Sequence, residues 1–211
     1  MRWGMVIDLR RCVGCQTCTI ACKQEHALPP ELFWRYVVDA EVGEYPDVKR
    51  LFLPMGCMHC GEPPCVPVCP TGASQQRGDG IVWVQYDLCV GCGYCAVACP
   101  YRARHLVHGQ EWYFPGGPTP PEAKTADAER RGVMTKCTFC LHRLDAAPSE
   151  ARPGMDPAAT PACAASCIAN AIHFGDLDDP DSPVSRLLKD HRAVRLLEEL
   201  GTDPSVYYLT E

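Results

Sequence analysis

The chain has 211 residues, a formal net charge of −6 and a hydrophobic fraction of 46%. That acidity argues against a nucleic-acid partner, and no polybasic run marks direct attachment to anionic lipid. With 17 Gly, 20 Pro and only 5 Phe, the chain is loop-rich and organised around something other than a large aliphatic core, for which its 16 Cys are the candidate.

In chain order, Met5-Val6-Ile7 predicts a short strand, followed by the first cysteine group, Cys12-x2-Cys15-x2-Cys18-x3-Cys22. The stretch from Arg2 to Asp8 leaves no room for the charged, apolar and cleavage regions of a signal peptide. Arg10-Arg11 precedes a ligand-type cysteine rather than an apolar stretch, so it reads as a solvated or interface pair. A short helix is expected around Thr19-Ile20-Ala21. From Phe33 to Val42 the character alternates, with Trp34, Tyr36, Val38, Ala40 and Val42 on one face and Arg35, Asp39 and Glu41 on the other with Phe33 and Val37. With Val48 to Leu53 after a turn at Glu44-Tyr45-Pro46-Asp47, this predicts a β-hairpin covering a cluster domain.

The second group is Cys57-x2-Cys60-x4-Cys65-x3-Cys69, and the third, Cys89-x2-Cys92-x2-Cys95-x3-Cys99, follows an apolar strand at Ile81-Val82-Trp83-Val84. A second short helix is expected around Ala96-Val97-Ala98. Gly14 and Gly91 sit inside equivalent loops, where the backbone must approach sulfur closely or take positive φ. Pro70 and Pro100 turn the chain away after the last cysteine of their groups. Residues 112–132 and 146–161 read as insertions without confident regular structure. Between them lies Cys137-x2-Cys140, and after them Cys163-x3-Cys167, the two halves of a split fourth group. In the tail, Ser182 caps a helix with Pro183 at its first position, and Arg192 to Leu200 is expected to continue helically until Gly201. No run of eighteen apolar residues marks a membrane span.

The spacing has a physical reason. A cubane cluster needs four soft thiolates converging from different directions, and a C-x2-C-x2-C loop wraps three corners of one cube while the fourth cysteine points to a neighbouring cluster. Structural zinc favours two separated C-x2-4-C pairs, which three cysteines within seven residues do not provide. Disulfides need partners brought together from different segments in a secreted context, so cysteines two apart in a tight loop are poor candidates. Asp8 to Cys15 is echoed by Tyr86 to Cys92, which marks a duplicated ferredoxin-type unit. Groups two and three are contiguous, so groups one and four must pair across the chain.

The fold expected is therefore α+β. Two nested bacterial ferredoxin-like units, of short strands and helices around four 4Fe-4S clusters, carry a β-hairpin insertion and C-terminal helices. The outer unit takes residues 1–32 and 109–211, the hairpin 33–56 and the inner unit 57–108. Because metal binding supplies folding energy, the chain without iron should be largely unfolded or aggregated.

The four groups, the x4 step in the second, the split fourth group opening at Lys136-Cys137-Thr138-Phe139-Cys140, and the segments Phe174-Gly175-Asp176-Leu177 and Val206-Tyr207-Tyr208-Leu209 together resemble the electron-transfer beta subunit of the dimethyl sulfoxide reductase family. The resemblance covers essentially the whole chain. It implies cluster one on Cys12, Cys15, Cys18 and Cys167, and cluster two on Cys22, Cys137, Cys140 and Cys163. Cluster three falls on Cys57, Cys60, Cys65 and Cys99, and cluster four on Cys69, Cys89, Cys92 and Cys95. Some relatives replace the second cysteine of the third group and hold a three-iron cluster; Cys92 is intact here.

The resemblance further implies a molybdopterin (bis-MGD) catalytic alpha subunit facing the outer unit and a membrane-anchor, quinone-reactive gamma subunit facing the inner one. The complex would act on an inorganic sulfur or arsenic oxyanion or a small organic oxide, on the cytoplasmic face of a membrane or in the periplasm by co-export. A relay in a hydrogenase or formate dehydrogenase, or a free polyferredoxin, is the alternative. No catalytic residue is expected in this chain. His59 and His142 lie beside ligand cysteines but are not needed as ligands, while Lys136, Arg102 and Arg143 are candidates for tuning a cluster's potential.

Overall fold

Met5, Val6 and Ile7 are completely buried, as expected for a strand covered on both faces, and they form the middle of β1 (Trp3–Asp8). The computed structural model describes residues 1–109 and 111–210. After β1 the chain loops through the first two cysteines into α1 (Thr17–Glu25), which carries Cys18 and Cys22. Lys23 near its end donates to the carbonyls of Pro29, Pro30 and Leu32 at 2.8–2.9 Å, fixing the exit from the helix.

β2 (Tyr36–Val42) and β3 (Lys49–Met55) pair antiparallel with Tyr36 opposite Met55 and Val42 opposite Lys49. The turn between them closes with Asp47 N–H donating to Glu44 O at 2.7 Å. The hairpin's faces differ from the alternation read in the sequence. Val38 and Val42 are exposed and Val37 is buried, because only the base of the hairpin lies on the rest of the chain while its tip projects into solvent. Arg35, placed with the polar face, is buried.

β4 (Ser74–Gln76) and β5 (Val82–Val84) form a small antiparallel ribbon ahead of α2 (Tyr94–Ala98). The helix stops one residue short of Cys99, which is extended at φ −83°, ψ 111°. β6 (His105–Leu106) pairs with β7 (Met134–Thr135), bracketing the first insertion. That insertion holds a short helix, α3 (Pro120–Thr125), with a capping box between Thr119 and Glu122. α4 (Leu141–Asp145) and α5 (Ala162–Ala165) flank the second insertion, and α5 packs on α1.

β8 (Ile172–Asp176) leads to α6 (Pro183–Asp190), capped by Ser182 Oγ accepting from Ser185 N–H at 3.2 Å. The chain beyond α6 is not helical to Gly201 as expected. It forms β9 (Ala193–Val194), a 3-10 turn at Glu198–Leu200, and β10 (Val206–Leu209). The C-terminal helices expected thus reduce to α6 and that single turn. Sheet pairing outweighs helix propensity here: β10 lies parallel to β1, with Met5 opposite Val206, and β9 pairs onto its other edge. The resulting sheet has the order β8-β1-β10-β9 and joins the first eight residues to the last forty.

The main core merges that sheet with the cysteines. Met5, Ile7, Phe174, Val206 and Tyr208 pack in one cluster with Cys18, Cys22, Cys60, Cys137 and Cys163. Tyr208 Oη donates to Pro54 O at 2.9 Å, tying the tail strand to the hairpin. Tyr101 Oη lies 2.6 Å from Thr202 Oγ1, tying the segment after group three to the tail.

Candidate iron–sulfur sites

All sixteen cysteines are free. At the end of β1, Asp8 accepts from Arg10 N–H, Nε and Nη2 at 2.8–3.0 Å and turns the chain into the first loop. Gly14 takes φ +68° there, with the Phe52 ring of the hairpin only 2.4 Å from where a Cβ would stand. Cys12, Cys15, Cys18 and Cys167 line one recess, together with Val37 and Pro54 of the hairpin and Ile172 of β8. Burial pushes the Cys18 thiol up to about 11, against the opposing pull of Arg35; Cys163 and Cys167 push it further the same way. Cys15, by contrast, is exposed.

Cys22, Cys137, Cys140 and Cys163 are all buried. Burial raises Cys22 well above its ordinary value, and the facing Cys137, Cys163 and Cys140 add to it. Phe139 and Cys140 both take φ +53°, a costly conformation for residues with side chains. The curled backbone donates Phe139 N–H to Cys137 Sγ at 3.4 Å, and Ala162 N–H reaches Cys140 Sγ at the same distance. His26 Nε2 lies 3.4 Å from Cys140 Sγ.

The third set is Cys57, Cys60, Cys65 and Cys99. Cys60 is driven up to about 12 by burial, with Cys57, Cys65 and Cys99 facing it and the Thr202 hydroxyl opposing. His59 N–H donates to Cys57 Sγ at 3.5 Å, and Arg104 Nη2 donates to Cys65 Sγ at 2.8 Å. In the fourth set, burial raises Cys95, Arg104 opposes, and Cys65, Cys89 and Cys69 are the sulfurs that face it. Ser74 N–H donates to Cys69 Sγ and Met134 N–H to Cys89 Sγ, both at 3.4 Å. Cys92 is exposed.

Three sulfur neighbours cross from one set to the next: Cys18 with Cys163, Cys137 with Cys57, and Cys95 with Cys65. Among the described residues, no three His, Cys, Asp or Glu side chains converge closely enough to hold a single metal ion. Soft thiols that face one another and accept backbone N–H bonds are a donor set suited to iron–sulfur clusters.

The histidines do other work. His59 is completely buried, stacks on Phe139 at 3.7 Å between centroids, and accepts from Val82 N–H at Nδ1. Burial holds it well below its ordinary value, helped by Lys136, Arg104 and Arg35. His142 is exposed, with Nε2 2.8 Å from Glu25 Oε1.

Of the three tuning candidates, only Lys136 lies buried at the sulfurs. Arg102 is exposed with φ +52°, and Arg143 pairs with Glu25 and donates to Thr160 O. The sequence reading missed Arg35 and Arg104. The signal for Arg104 is its place five residues after Cys99, the same kind of signal that selected Arg102; only burial separates them.

Two matches to a 4Fe-4S dicluster domain cover residues 4–77 and 48–112. A selenate reductase subunit of Mesobacillus selenatarsenatis is 42% identical over 100% of this chain and 72% of its own length. A tetrathionate reductase subunit of Salmonella typhimurium is 43% identical over 99% of this chain and 72% of its own length. The iron–sulfur cluster-binding subunit of menaquinone reductase from Nitratidesulfovibrio vulgaris is 40% identical over 100% of this chain and 89% of its own length. On these grounds, the chain belongs to the iron–sulfur, electron-transfer beta subunits of the dimethyl sulfoxide reductase family.

Proposed function

We propose that this chain holds four 4Fe-4S clusters in a row and passes electrons between a molybdopterin catalytic subunit and a membrane quinone-reactive subunit. Cluster one takes Cys12, Cys15, Cys18 and Cys167; cluster two takes Cys22, Cys137, Cys140 and Cys163. Cluster three takes Cys57, Cys60, Cys65 and Cys99; cluster four takes Cys69, Cys89, Cys92 and Cys95. The observation that carries this reading is that the sulfur sets influence one another in turn, Cys18 feeling Cys163, Cys137 feeling Cys57 and Cys95 feeling Cys65. When bound, each cluster supplies a one-electron carrier. The chain's own groups fix the sulfurs, donate N–H bonds to them and keep water from the middle sets.

The nested organisation is part of the same reading, with an outer unit of residues 1–32 and 109–211 around an inner unit of 57–108. It is supported by the sheet that joins the two chain ends and by the dicluster match over 48–112, which spans groups two and three. The two ends of the row are where partners would dock. Beside Cys15 lie the exposed Val13, Ile20 and Ile168, and beside Cys92 the exposed Leu88, Val90, Tyr94 and Val97. Apolar rims around an exposed ligand suit a dry contact with a partner's redox centre.

The catalytic partner, with bis-MGD and molybdenum or tungsten, would sit at the Cys15 end and the quinone partner at the Cys92 end. The substrate class is an inorganic oxyanion of sulfur, arsenic or a related element, or a small organic oxide. No helix among the described residues is long and apolar enough to cross a membrane, so membrane association would run through the partner, on the cytoplasmic face or in the periplasm by co-export.

The test is metal quantitation on the complex purified anaerobically from its host through a tag on this chain. About sixteen irons in this subunit, with about one molybdenum or tungsten per complex, is the expected result. Zinc in place of iron overturns the cluster reading. Full iron without molybdenum or tungsten, in a preparation that retains its partners, overturns the partner.

A further inference from the structure

Three cationic side chains lie buried among the sulfurs, at 2% exposure for Arg35, 1% for Lys136 and 5% for Arg104. A buried cation is expensive unless an anion or a full set of hydrogen-bond acceptors compensates it. These three are poorly served by ordinary partners. Arg35 Nη2 donates to the weak acceptor Met5 Sδ at 3.0 Å, and its Nε has no partner. Arg104 donates to Cys65 Sγ, and its Nη1 has no partner. Lys136 Nζ donates to Val82 O.

The neighbours that favour their charged forms are cysteine sulfurs and, for Arg35, the Tyr208 phenol. Arg35 faces Cys163 and Cys137 of set two and Cys18 of set one, with the Tyr208 phenol. Lys136 faces Cys57 and Cys65 of set three and Cys137 of set two, with the Arg104 guanidinium opposing its charge. Arg104 faces Cys65 and Cys57 of set three and Cys95 of set four. Each cation is thus shared by two sets, Arg35 by sets one and two, Lys136 by two and three and Arg104 by three and four, with Lys136 and Arg104 both beside set three.

We propose that Arg35, Lys136 and Arg104 form a ladder of junction charges, each raising the reduction potentials of the two clusters it separates and shielding an electron on one from an electron on the other. Reduction adds a negative charge to a site of low dielectric, where repulsion between neighbouring clusters is weakly screened. A cation shared by both neighbours offsets that repulsion for each. The row can then hold more than one electron at a time, as a two-electron partner reaction demands. The direct bond from Arg104 to Cys65 makes its effect larger on cluster three than on cluster four. None of the three is a ligand, and none exchanges a proton in this scheme.

The inference rests on the four-cluster reading, and the experiment separates the two. In the complete complex, Arg35→Met, Lys136→Met and Arg104→Gln are each purified, their iron is counted, and the clusters are followed by EPR during a redox titration. Each substitution should lower the reduction equilibrium constant of its two neighbouring clusters at least about tenfold, which is about 59 mV for a one-electron couple. The two remote clusters should stay within about threefold. Arg35→Lys, Lys136→Arg and Arg104→Lys should keep both iron and potentials.

Full iron with unmoved neighbours, or an equal shift of all four clusters, overturns the ladder. Where a neutral variant loses iron, its charge-conserving counterpart decides. Iron restored with neighbouring potentials still displaced tenfold overturns the charge role, and iron lost in both assigns the residue to folding and removes that junction. Iron well below sixteen in the unsubstituted complex would instead defeat the four-cluster reading itself.

Discussion

The middle and the ends of the cysteine row stand in opposite surroundings. Cys22, Cys137, Cys140 and Cys163 are all buried, whereas the sets at either end each present one exposed cysteine, Cys15 and Cys92. Those two occupy the same second position of a C-x2-C-x2-C loop in the two halves of the duplication. The exposed apolar residues follow the same division, with Ile168 at 73% and Val97 at 89% exposure beside the end sets. A conductor needs this asymmetry: a middle kept dry so that charges on it are felt, and ends open enough for a partner to approach.

The largest expected effect breaks the middle. Cys163→Ser removes a buried ligand from the set packed into the main core, and should cost more than one cluster and most of the soluble protein. Cys92→Ser should leave about twelve of sixteen irons on a folded chain. Iron per chain measured on both variants decides; equal losses would erase the distinction between middle and end.

Next in size, Phe139→Ala removes a ring that stacks on His59 and meets Phe174 edge-on at 5.3 Å, in a side chain 1% exposed. It should destabilise the loaded protein by about 3–5 kcal/mol, read as a lowered anaerobic unfolding midpoint. The rim should behave in the opposite way. Val97→Asp should change stability by no more than about 0.5 kcal/mol while weakening capture of the partner about tenfold, measured as co-purification at graded dilution. A large stability loss from Val97→Asp would mean the rim is core rather than interface.

The smallest effect calibrates the others. Ser182→Ala takes one cap from α6, outside the sulfur sets, and should cost about 1 kcal/mol with iron and potentials unchanged. A change in cluster signals from that substitution would show that the tail strands transmit strain to the sites.

Much of this was legible in the sequence. The four groups, β1, β5, the hairpin, the positive φ of Gly14 and Gly91 and the Ser182 cap all follow from local chemistry. Two kinds of feature were not. The stretch after α6 carries helical composition yet forms β9 and a turn, because Val194 and Ala193 pair with Tyr208 and Leu209. Arg35 sits in a polar position of an alternating segment yet is buried, because the base of the hairpin lies against the sulfurs.

What the sequence alone determined is the number and type of the donors. Thiolate spacing is a local constraint, set by how short loops wrap the corners of a cluster, and local constraints are written in consecutive residues. What only the tertiary structure decided is the order of the sets and the charges between them. The juxtaposition of Cys18 with Cys163, of Cys137 with Cys57, and of each cation with two sets depends on segments up to a hundred and forty-five residues apart. The sheet that closes the chain's two ends together brings group one beside Cys167, and the pairing of its strands is not written in the cysteine spacing.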